Sequence, residues 1–413
     1  MQINTASIIG LGYIGLPTAA ILAANGIRVR GMDTNPSIVE TINNGKVHIV
    51  EPDLDGLLYK MVMAGNLVAS TAVAAADVFL ITVSTPFKDG HEPDISHVMN
   101  AAQSIAGVLK KGNLIILEST SPVGTTEEVS RLLKRLRPDL SFPHEKEDAD
   151  IYVAYCPERV LPGHILRELV ENDRVIGGIT KACSEKAVAF YKCFVRGKCV
   201  ITNARTAEMT KLTENSFRDV NIAFANELST ICDTLGINVW ELVELANLHP
   251  RVNILRPGPG VGGHCIAVDP WFIVSSAPDE SRLIRMAREV NDAKPAHVVK
   301  KVLACAKEVM EPRIACLGLS YKADIDDLRE SPAVEIVRQL LEGGIKEILA
   351  VEPFVKELPF KLGFEGKVRL CGIEDAVREA NIVVLLVNHS VFLKMDPKQL
   401  SGKKVIDTRG VWA

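Results

Sequence analysis

The stretch Ala6-Ser-Ile-Ile-Gly10-Leu-Gly12-Tyr-Ile-Gly15 decides how the first part of the chain is read. Ala6–Gly10 has the character of a buried strand. A helical stretch follows to about Asn25, Gly26 stops it, and a second strand, Arg28–Met32, ends at Asp33. A lone GxGxxG says little. One that leaves a strand, opens a helix and is followed by an acid at the next strand end is a dinucleotide fingerprint. Gly10 permits the tight turn, Gly12 the approach of a pyrophosphate, and Gly15 close packing of helix on strand. The helix N-terminus, with the backbone N–H groups of Tyr13 and Ile14, attracts phosphate charge. Asp33 accepts hydrogen bonds from ribose hydroxyls and repels a 2′-phosphate. No arginine follows in Asp33-Thr-Asn-Pro36, so NAD is expected rather than NADP.

Working outward, the apolar runs Val78–Val83, Leu114–Leu117, Ile151–Ala154 and Val175–Ile176 read as further strands separated by helices. Such alternation implies a parallel sheet covered on both faces. The pattern changes from Arg205 to about Leu235, which reads as one long helix ended by Gly236. Trp240–Asn247 and Ser281 to about Glu311 are also helical, the latter with an interruption near Pro295. A second α/β unit begins at Arg313–Leu319 and continues through a helix (Pro332–Glu342), a strand (Glu347–Val351), a helix around Glu374–Ala380 and the strands Ile382–Val387 and Lys404–Ile406. The expected fold is α/β: two Rossmann-like doubly wound parallel-sheet domains joined by a helical middle domain with a long central helix. The boundaries fall at 1–200, 201–308 and 309–413. A length of 413 residues suits two or three domains of about 150 residues each.

Composition narrows the function. A net charge of −4, no basic run and 5% aromatic residues disfavour a nucleic-acid binder. Nine cysteines, an odd number without a CxxC pair, make neither a disulfide framework nor a zinc site, so no metal is expected. Reduced thiols and an opening Met-Gln-Ile-Asn that enters a strand at once point to a cytoplasmic protein without a signal peptide. Apolar runs such as Ile382–Val387 are too short to span a bilayer.

Chemistry concentrates in Gly258-Pro-Gly-Val-Gly-Gly-His-Cys265-Ile-Ala-Val-Asp269-Pro270. Gly258, Gly260, Gly262 and Gly263 carry no Cβ, so another molecule can approach the backbone, and Cys265 reads as a nucleophile. The alternative is a small buried hydrophobe, the usual state of a cysteine. His264 reads as a satisfied loop histidine. On the central helix, Lys211, Asn215 and Arg218 fall within roughly 60° of one another at about 100° per residue, a ligand-facing polar stripe or a solvated one. The C-terminal unit opens Gly318-Leu-Ser-Tyr-Lys322 and lacks the second and third glycines. A phosphorylated ligand rather than a second NAD is expected there, with Lys322 and Arg329 as charge partners.

Seven blocks occur in order along nearly the whole chain: Gly10–Gly15, Val83-Ser-Thr-Pro86, Glu118–Thr126, Cys156-Pro-Glu-Arg-Val-Leu-Pro-Gly163, Ala207–Asn215, Gly258–Pro270 and Tyr321–Pro332. Together they resemble the family of UDP-glucose and UDP-N-acetylmannosamine dehydrogenases. Pro-Glu-Arg-Val-x-Pro-Gly and His249-Pro-Arg-Val-Asn253 are similar to the branch acting on N-acetylhexosamines. The UDP-glucose branch has Pro-Glu-Phe-Leu and a second acid where this chain has Pro162.

The resemblance implies a four-electron, NAD-dependent oxidation of a sugar C6 alcohol to a carboxylate through a thiohemiacetal and a thioester on Cys265. UDP-N-acetyl-D-mannosamine is the expected substrate and UDP-N-acetyl-D-glucosamine the alternative. A silent nucleotide-sugar sensor and a two-electron 3-hydroxyacid dehydrogenase are the competing readings, and neither needs the cysteine loop. Family matching puts Lys211 and Asn215 beside the C6 oxygen, with the Lys211 ammonium favouring the thiolate. It makes Glu158, Asp269 and Thr120 managers of water and protons. To the cofactor residues Gly10, Gly12, Tyr13, Ile14, Gly15 and Asp33 it adds Thr85, Thr125 and Arg329. For the UDP-sugar it names Arg159, Val160, Lys211, Asn215, Arg218, His249, Arg251, Gly262, Tyr321, Lys322 and Arg409. A homodimer paired through the central helix is expected, in a pathway to a surface polysaccharide.

Overall fold

The glycine-punctuated opening folds as its pattern requires. In the computed structural model, which describes residues 3–263, 265–359, 362, 364 and 366–412, strand β1 (Thr5–Ile9) runs through the Gly10 turn into the helix Gly15–Ala24. His264 lies outside the described residues. The chain divides into two compact units: Met1–Glu214 with Trp271–Ala277, and Asn215–Pro270 with Pro278–Ala413. The division falls within the helix Ala204–Leu235.

The first unit holds β1 with β2 (Arg28–Met32), β3 (Leu67–Ser70), β4 (Val78–Ile81), β5 (Leu114–Leu117), β6 (Tyr152–Tyr155), β7 (Arg174–Gly178) and β8 (Cys199–Asn203). They form one sheet in the order β3-β2-β1-β4-β5-β6-β7-β8. Alternate residues of a strand point to opposite faces, and here both faces are apolar. Leu80, Leu114 and Ile116 pack on one side, Phe79, Ile81, Ile115 and Leu117 on the other. That double burial produces the uninterrupted apolar runs of the sequence.

One direction differs from expectation. β6 and β7 pair antiparallel, Ala154 opposite Gly178 and Tyr155 opposite Gly177, and β8 runs parallel to β7. Apolar periodicity is the same whichever way a strand runs, so the reversal is illegible in the sequence. Its consequence is positional. Arg174, the first residue of β7, comes to the edge where β5 and β6 end. β3 and β8, too short or too polar on one face to stand out, also escaped the pattern reading.

In the second unit β9 (Ile314–Leu317), β10 (Ile348–Val351), β11 (Val368–Leu370), β12 (Ile382–Leu385) and β13 (Lys404–Asp407) form a parallel sheet in the order β11-β10-β9-β12-β13. This repeats the first five positions of the larger sheet. The turns match as well. Gly10 N donates to the Met32 oxygen and Gly318 N to the Val351 oxygen, both at 2.8 Å, with both glycines at positive φ (96° and 88°). The acid after the second strand binds the turn amide in each case: Asp33 takes Leu11 N at 3.0 Å, and Glu352 takes Leu319 N at 2.6 Å. Glu352 also accepts from Ser320 N and from His389 Nε2 and is buried, whereas Asp33 stays half-buried. The second turn has therefore committed its acid to protein.

The helix Arg282–Lys307 runs without a break through Pro295, whose ring packs toward the backbone of Gly260. It lies along the second-unit part of Ala204–Leu235 through a polar seam. Arg288 Nη1 meets Asp219 Oδ1 at 2.6 Å with both side chains buried, Asn291 Nδ2 donates to the same carboxylate at 2.8 Å, and Asn226 Nδ2 donates to Asn291 Oδ1 at 2.8 Å. Breaking a buried pair strands the surviving charge. Arg288→Met should therefore lower unfolding stability by about 3–5 kcal/mol in urea titrations. A change under about 1 kcal/mol would show that the seam contributes little.

Candidate functional site

The dinucleotide turn is tightest at Gly15, where a Cβ would lie 1.9 Å from the Gly10 carbonyl oxygen and 2.6 Å from Thr82 Oγ1. At Gly12 a Cβ would meet nothing within 4 Å, so this glycine faces open space. The helix Gly15–Ala24 has no side-chain cap, which leaves its N-terminus to an anion. Asp33 is held by Leu11 N and Asn35 N, fixed at the end of β2. Burial lowers the pKa of neighbouring His48, against the pull of Asp33. These residues fit a dinucleotide bearing a ribose diol. Thr85 Oγ1 donates to the Thr120 oxygen at 2.6 Å and ties the loops after β4 and β5 together. Buried Thr125 spends its hydroxyl on the Pro122 oxygen. Glu208, which sequence reasoning passed over inside the block Ala207–Asn215, receives Gly124 N, Thr126 N and Thr126 Oγ1 and so caps the helix Thr125–Leu136.

The thiol site belongs to the second unit. Cys265 is exposed, and its carbonyl accepts Val268 N at 3.0 Å and Asp269 N at 2.8 Å, which places it one turn ahead of the helix Asp269–Ser276. Buried Asn215 donates its amide to Asp269 Oδ2 at 2.5 Å. The loop glycines serve the chain itself. A Cβ at Gly262 would lie 2.4 Å from the Glu330 carbonyl oxygen and 2.8 Å from Tyr321 Cβ. One at Gly263 (φ 82°) would strike the Tyr321 ring, one at Gly260 Pro332, and one at Gly258 the Arg409 guanidinium. This corrects the expectation that the glycines are there to admit another molecule: Tyr321, Pro332 and Arg409 occupy that space. Cys156 and Cys316 are poorer candidates, since both are buried and burial pushes their thiols up to about 12.

A buried polar cluster in the first unit surrounds Glu158. Arg174 Nη1 pairs with Glu158 Oε2 at 2.9 Å, and Glu158 Oε1 accepts Arg159 N at 2.7 Å. The Arg174 guanidinium lies 4.7 Å from the centre of the Tyr191 ring, and Tyr191 OH donates to Glu118 Oε1 at 2.5 Å. Burial pushes the Glu118 carboxyl up to about 7, with Arg174 opposing and Glu158 adding to the rise. Sequence reasoning missed Arg174, Tyr191 and the part Glu118 takes here, because three separate strand ends and a helix supply them.

The other expected residues are dispersed between these settings. Arg159 pairs with Glu214 at 2.9 Å and also donates to the Asp173 carbonyl, while Val160 packs against the first core. Lys211 is half-buried one turn before Asn215, and Arg218 is exposed. His249 and Arg251 are exposed in a loop bracketed by Asn247, which bonds both the N–H and the carbonyl of Ile254. Lys322 and Arg329 are exposed, the latter paired with Asp327 at 2.6 Å. Arg409 donates to the Leu386 oxygen, and burial lowers it to about 10, against Asp407. Among the described residues, no cluster of His, Cys, Asp and Glu is arranged to hold a metal, and no helix is long and apolar enough to cross a membrane.

A doubly wound sheet with a dinucleotide turn, followed by a helical segment and a second sheet, is the construction of a dehydrogenase. The chain matches the UDP-glucose/GDP-mannose dehydrogenase family in three consecutive stretches: its NAD binding domain over residues 4–195, its central domain over 205–293 and its UDP binding domain over 315–413. It belongs to that family and is an NAD-dependent dehydrogenase. It is 60% identical, over all of its length and 97% of the relative, to an NDP-N-acetyl-D-galactosaminuronic acid dehydrogenase of Ralstonia nicotianae. It is 59% identical, over 95% of its length and 97% of the relative, to the UDP-N-acetyl-D-mannosamine dehydrogenase of Campylobacter jejuni. Among solved structures, the UDP-N-acetyl-mannosamine dehydrogenase of Staphylococcus aureus superposes with a TM-score of 0.88 at 43% identity, covering 99% of this chain and 95% of that one.

Replacing Asp33 by Ala should weaken NAD⁺ binding by about tenfold or more, since hydrogen bonds to a charged acceptor contribute about 1.5–3 kcal/mol each. UDP affinity should hold. Calorimetric titration of both ligands checks this, and an equal loss of both would contradict the role given to Asp33.

Proposed function

We propose that this dehydrogenase oxidises the C6 alcohol of UDP-N-acetyl-D-mannosamine to the uronate, with two hydride transfers per product and covalent capture on Cys265. The observation that carries the reading is the setting of Cys265: an exposed thiol one turn ahead of Asp269, in a loop held rigid by Tyr321, Pro332 and Arg409. NAD, when bound at the Gly10–Gly15 turn, supplies the hydride acceptor for both oxidations. The Lys211 ammonium and the Asn215 amide stabilise negative charge on the C6 oxygen as the alcohol passes its proton to water, and loss of the first hydride from C6 leaves an aldehyde. Cys265 attacks the resulting aldehyde: a C–S bond forms, the carbonyl oxygen takes a proton, and the reactive aldehyde is retained as a thiohemiacetal. Loss of the second hydride and of the hydroxyl proton leaves a thioester. Glu158, with Asp269 and Thr120, orients water and takes its proton. Water adds to the thioester carbonyl, the C–S bond breaks, and thiol and carboxylate separate.

Residues 1–200 carry the NAD, 201–308 the dimer contact and catalytic helix, and 309–413 the nucleotide through Tyr321, Lys322 and Arg409. Thr85, Thr125 and Arg329 complete the cofactor site. Arg159, Val160, Arg218, His249 and Arg251 complete the sugar site, while Gly262 is left to the packing of the loop. A reducing, cytoplasmic setting agrees with nine thiols. The 60% identity to the Ralstonia relative supports a second reading, a galacto-configured substrate, because the mannosamine enzymes are no more similar, at 55–59%.

Incubating the protein with NAD⁺ and UDP-N-acetyl-mannosamine, -glucosamine or -galactosamine, and counting NADH per uronate, separates these. The manno sugar should turn over fastest at about two NADH per acid, and Cys265→Ala should form no uronate. Fastest turnover of another epimer would overturn the substrate assignment. Four-electron turnover by the alanine variant would remove the thioester route.

A homodimer is also proposed. Phe217, Phe224 and Ile231 stand exposed at seven-residue spacing on the helix Ala204–Leu235, with Leu235 exposed beyond them. Such a stripe on a helix seeks an apolar partner, and its spacing suits the same helix of a second copy. Phe217→Asp combined with Phe224→Asp should give a monomer in light scattering. An unchanged dimer mass would place the interface elsewhere, and a monomeric parent protein would remove it.

A further inference from the structure

The family resemblance left Glu158 without the second acid of the UDP-glucose branch, whose position is Pro162 here. Another carboxyl group reaches the same place from a different strand. β5 and β6 are parallel neighbours, Leu117 opposite Tyr155, so Glu118 and Cys156 leave the sheet side by side. β7 runs against them, and extending its pairing with β6 sets Arg174 opposite Glu158. The reversed strand thus carries a guanidinium to an edge that its parallel neighbours furnish with carboxylates. The groups facing one another there are Glu118 after β5, Cys156 and Glu158 after β6, Arg174 on β7 and Tyr191 on the helix Lys181–Tyr191. Arg174, Tyr191, Cys156 and Glu118 are buried, and Glu118 Oε2 has no hydrogen-bond partner. A guanidinium in such surroundings stays charged: burial opposes the charge, and the neighbouring acids, Glu158 foremost, raise its pKa above the ordinary value.

We propose that Arg174 is the positioning residue of the hydrolytic half-reaction, fixing the Glu158 carboxylate through their 2.9 Å ion pair, and that Glu118 is the second carboxyl group of this edge, competing with Glu158 for the guanidinium charge. The proposal rests on the reading of Glu158 as the hydrolytic base. While Glu118 is neutral, Glu158 is the one carboxylate of this edge that holds the guanidinium. When Glu118 ionises, its ordinary carboxyl value being raised to about 7 by burial, the guanidinium charge is drawn between the two acids and its hold on Glu158 changes. Thioester hydrolysis therefore changes through neutral pH. Tyr191 steadies Glu118 from one side and stacks beneath Arg174 from the other. The proton that Glu158 takes from water leaves with the solvent on the next turnover, so no further reactant is required.

The test uses the full-length enzyme with NAD⁺ and UDP-N-acetyl-D-mannosamine, comparing wild type with Glu158→Gln, Arg174→Met, Arg174→Lys and Glu118→Gln. NADH burst, steady-state rate and intact mass are followed across pH. Arg174→Met should keep the burst, slow the steady state by about tenfold or more and accumulate protein carrying the acyl mass, and Glu158→Gln should accumulate the same adduct. Arg174→Lys should recover part of the rate. Glu118→Gln, whose amide cannot ionise, should lose the change in rate near neutral pH. If Glu158→Gln accumulates adduct and the Arg174 variants do not, the positioning role is wrong while the base assignment stands. If Glu158→Gln accumulates none, the base assignment falls and this inference with it. If Arg174→Met loses burst and ligand binding together and Arg174→Lys is no better, Arg174 is structural only and the proposal is overturned. A wild-type pH profile retained in Glu118→Gln overturns the part given to Glu118.

Discussion

A side chain on Gly262 would lie 2.4 Å from the carbonyl oxygen of Glu330, and much of the second unit is arranged around that absence. Without Cβ atoms, the loop Gly258–Gly263 seats directly on Tyr321, Pro332 and Arg409, groups contributed by a sheet domain more than fifty residues further along the chain. A loop so seated loses little further entropy on meeting substrate, which is what presenting a thiol at fixed geometry requires. The helix Asp269–Ser276 continues from it, and Asn215 reaches across to Asp269. Cysteine, aspartate and asparagine are thereby held by one continuous set of contacts, and all depend on glycines whose task is internal packing.

The two sheets reuse one device at different stages of commitment. Each first strand ends in a positive-φ glycine, each second strand ends in an acid, and each acid takes the turn's amide. In the first unit the acid remains half-buried and can meet a ribose. In the second, Glu352 is enclosed with His389, whose Nδ1 accepts Asp324 N, so the acid stiffens the segment leading to Tyr321 and Lys322 instead of reading a ligand. The missing glycines after Gly318 are the sequence trace of that change. Gly12 opens onto space, whereas the corresponding turn of the second domain is filled by its own side chains.

Buried charge marks the places where the fold departs from an apolar average. The Asp219–Arg288 pair joins two long helices, and the Arg174 cluster lies behind Glu158. Isolated charges in such positions are prohibitively unfavourable, so each is paired and hydrogen-bonded. The first pair joins residues 69 apart in the chain, and the second joins the ends of two neighbouring antiparallel strands. Neither leaves a local pattern: Asp219 and Arg174 look like ordinary polar positions until the partner's place is known.

Local chemistry was sufficient for much of this protein. The glycine spacing and Asp33 announced the dinucleotide turn, apolar runs marked the strands that are buried on both faces, and the blocks around Glu158, Lys211, Cys265 and Tyr321 carried the family likeness, because each of these signals lies within a few residues. What tertiary structure alone decided was direction and company. The reversal of β7 changes no side-chain periodicity, yet it moves Arg174 from one edge of the sheet to the other. The purpose of the cysteine-loop glycines, the sequestering of Glu352 and the meeting of Glu118 with Arg174 all depend on approach between segments far apart in the chain, and separation along a sequence carries no measure of distance in space.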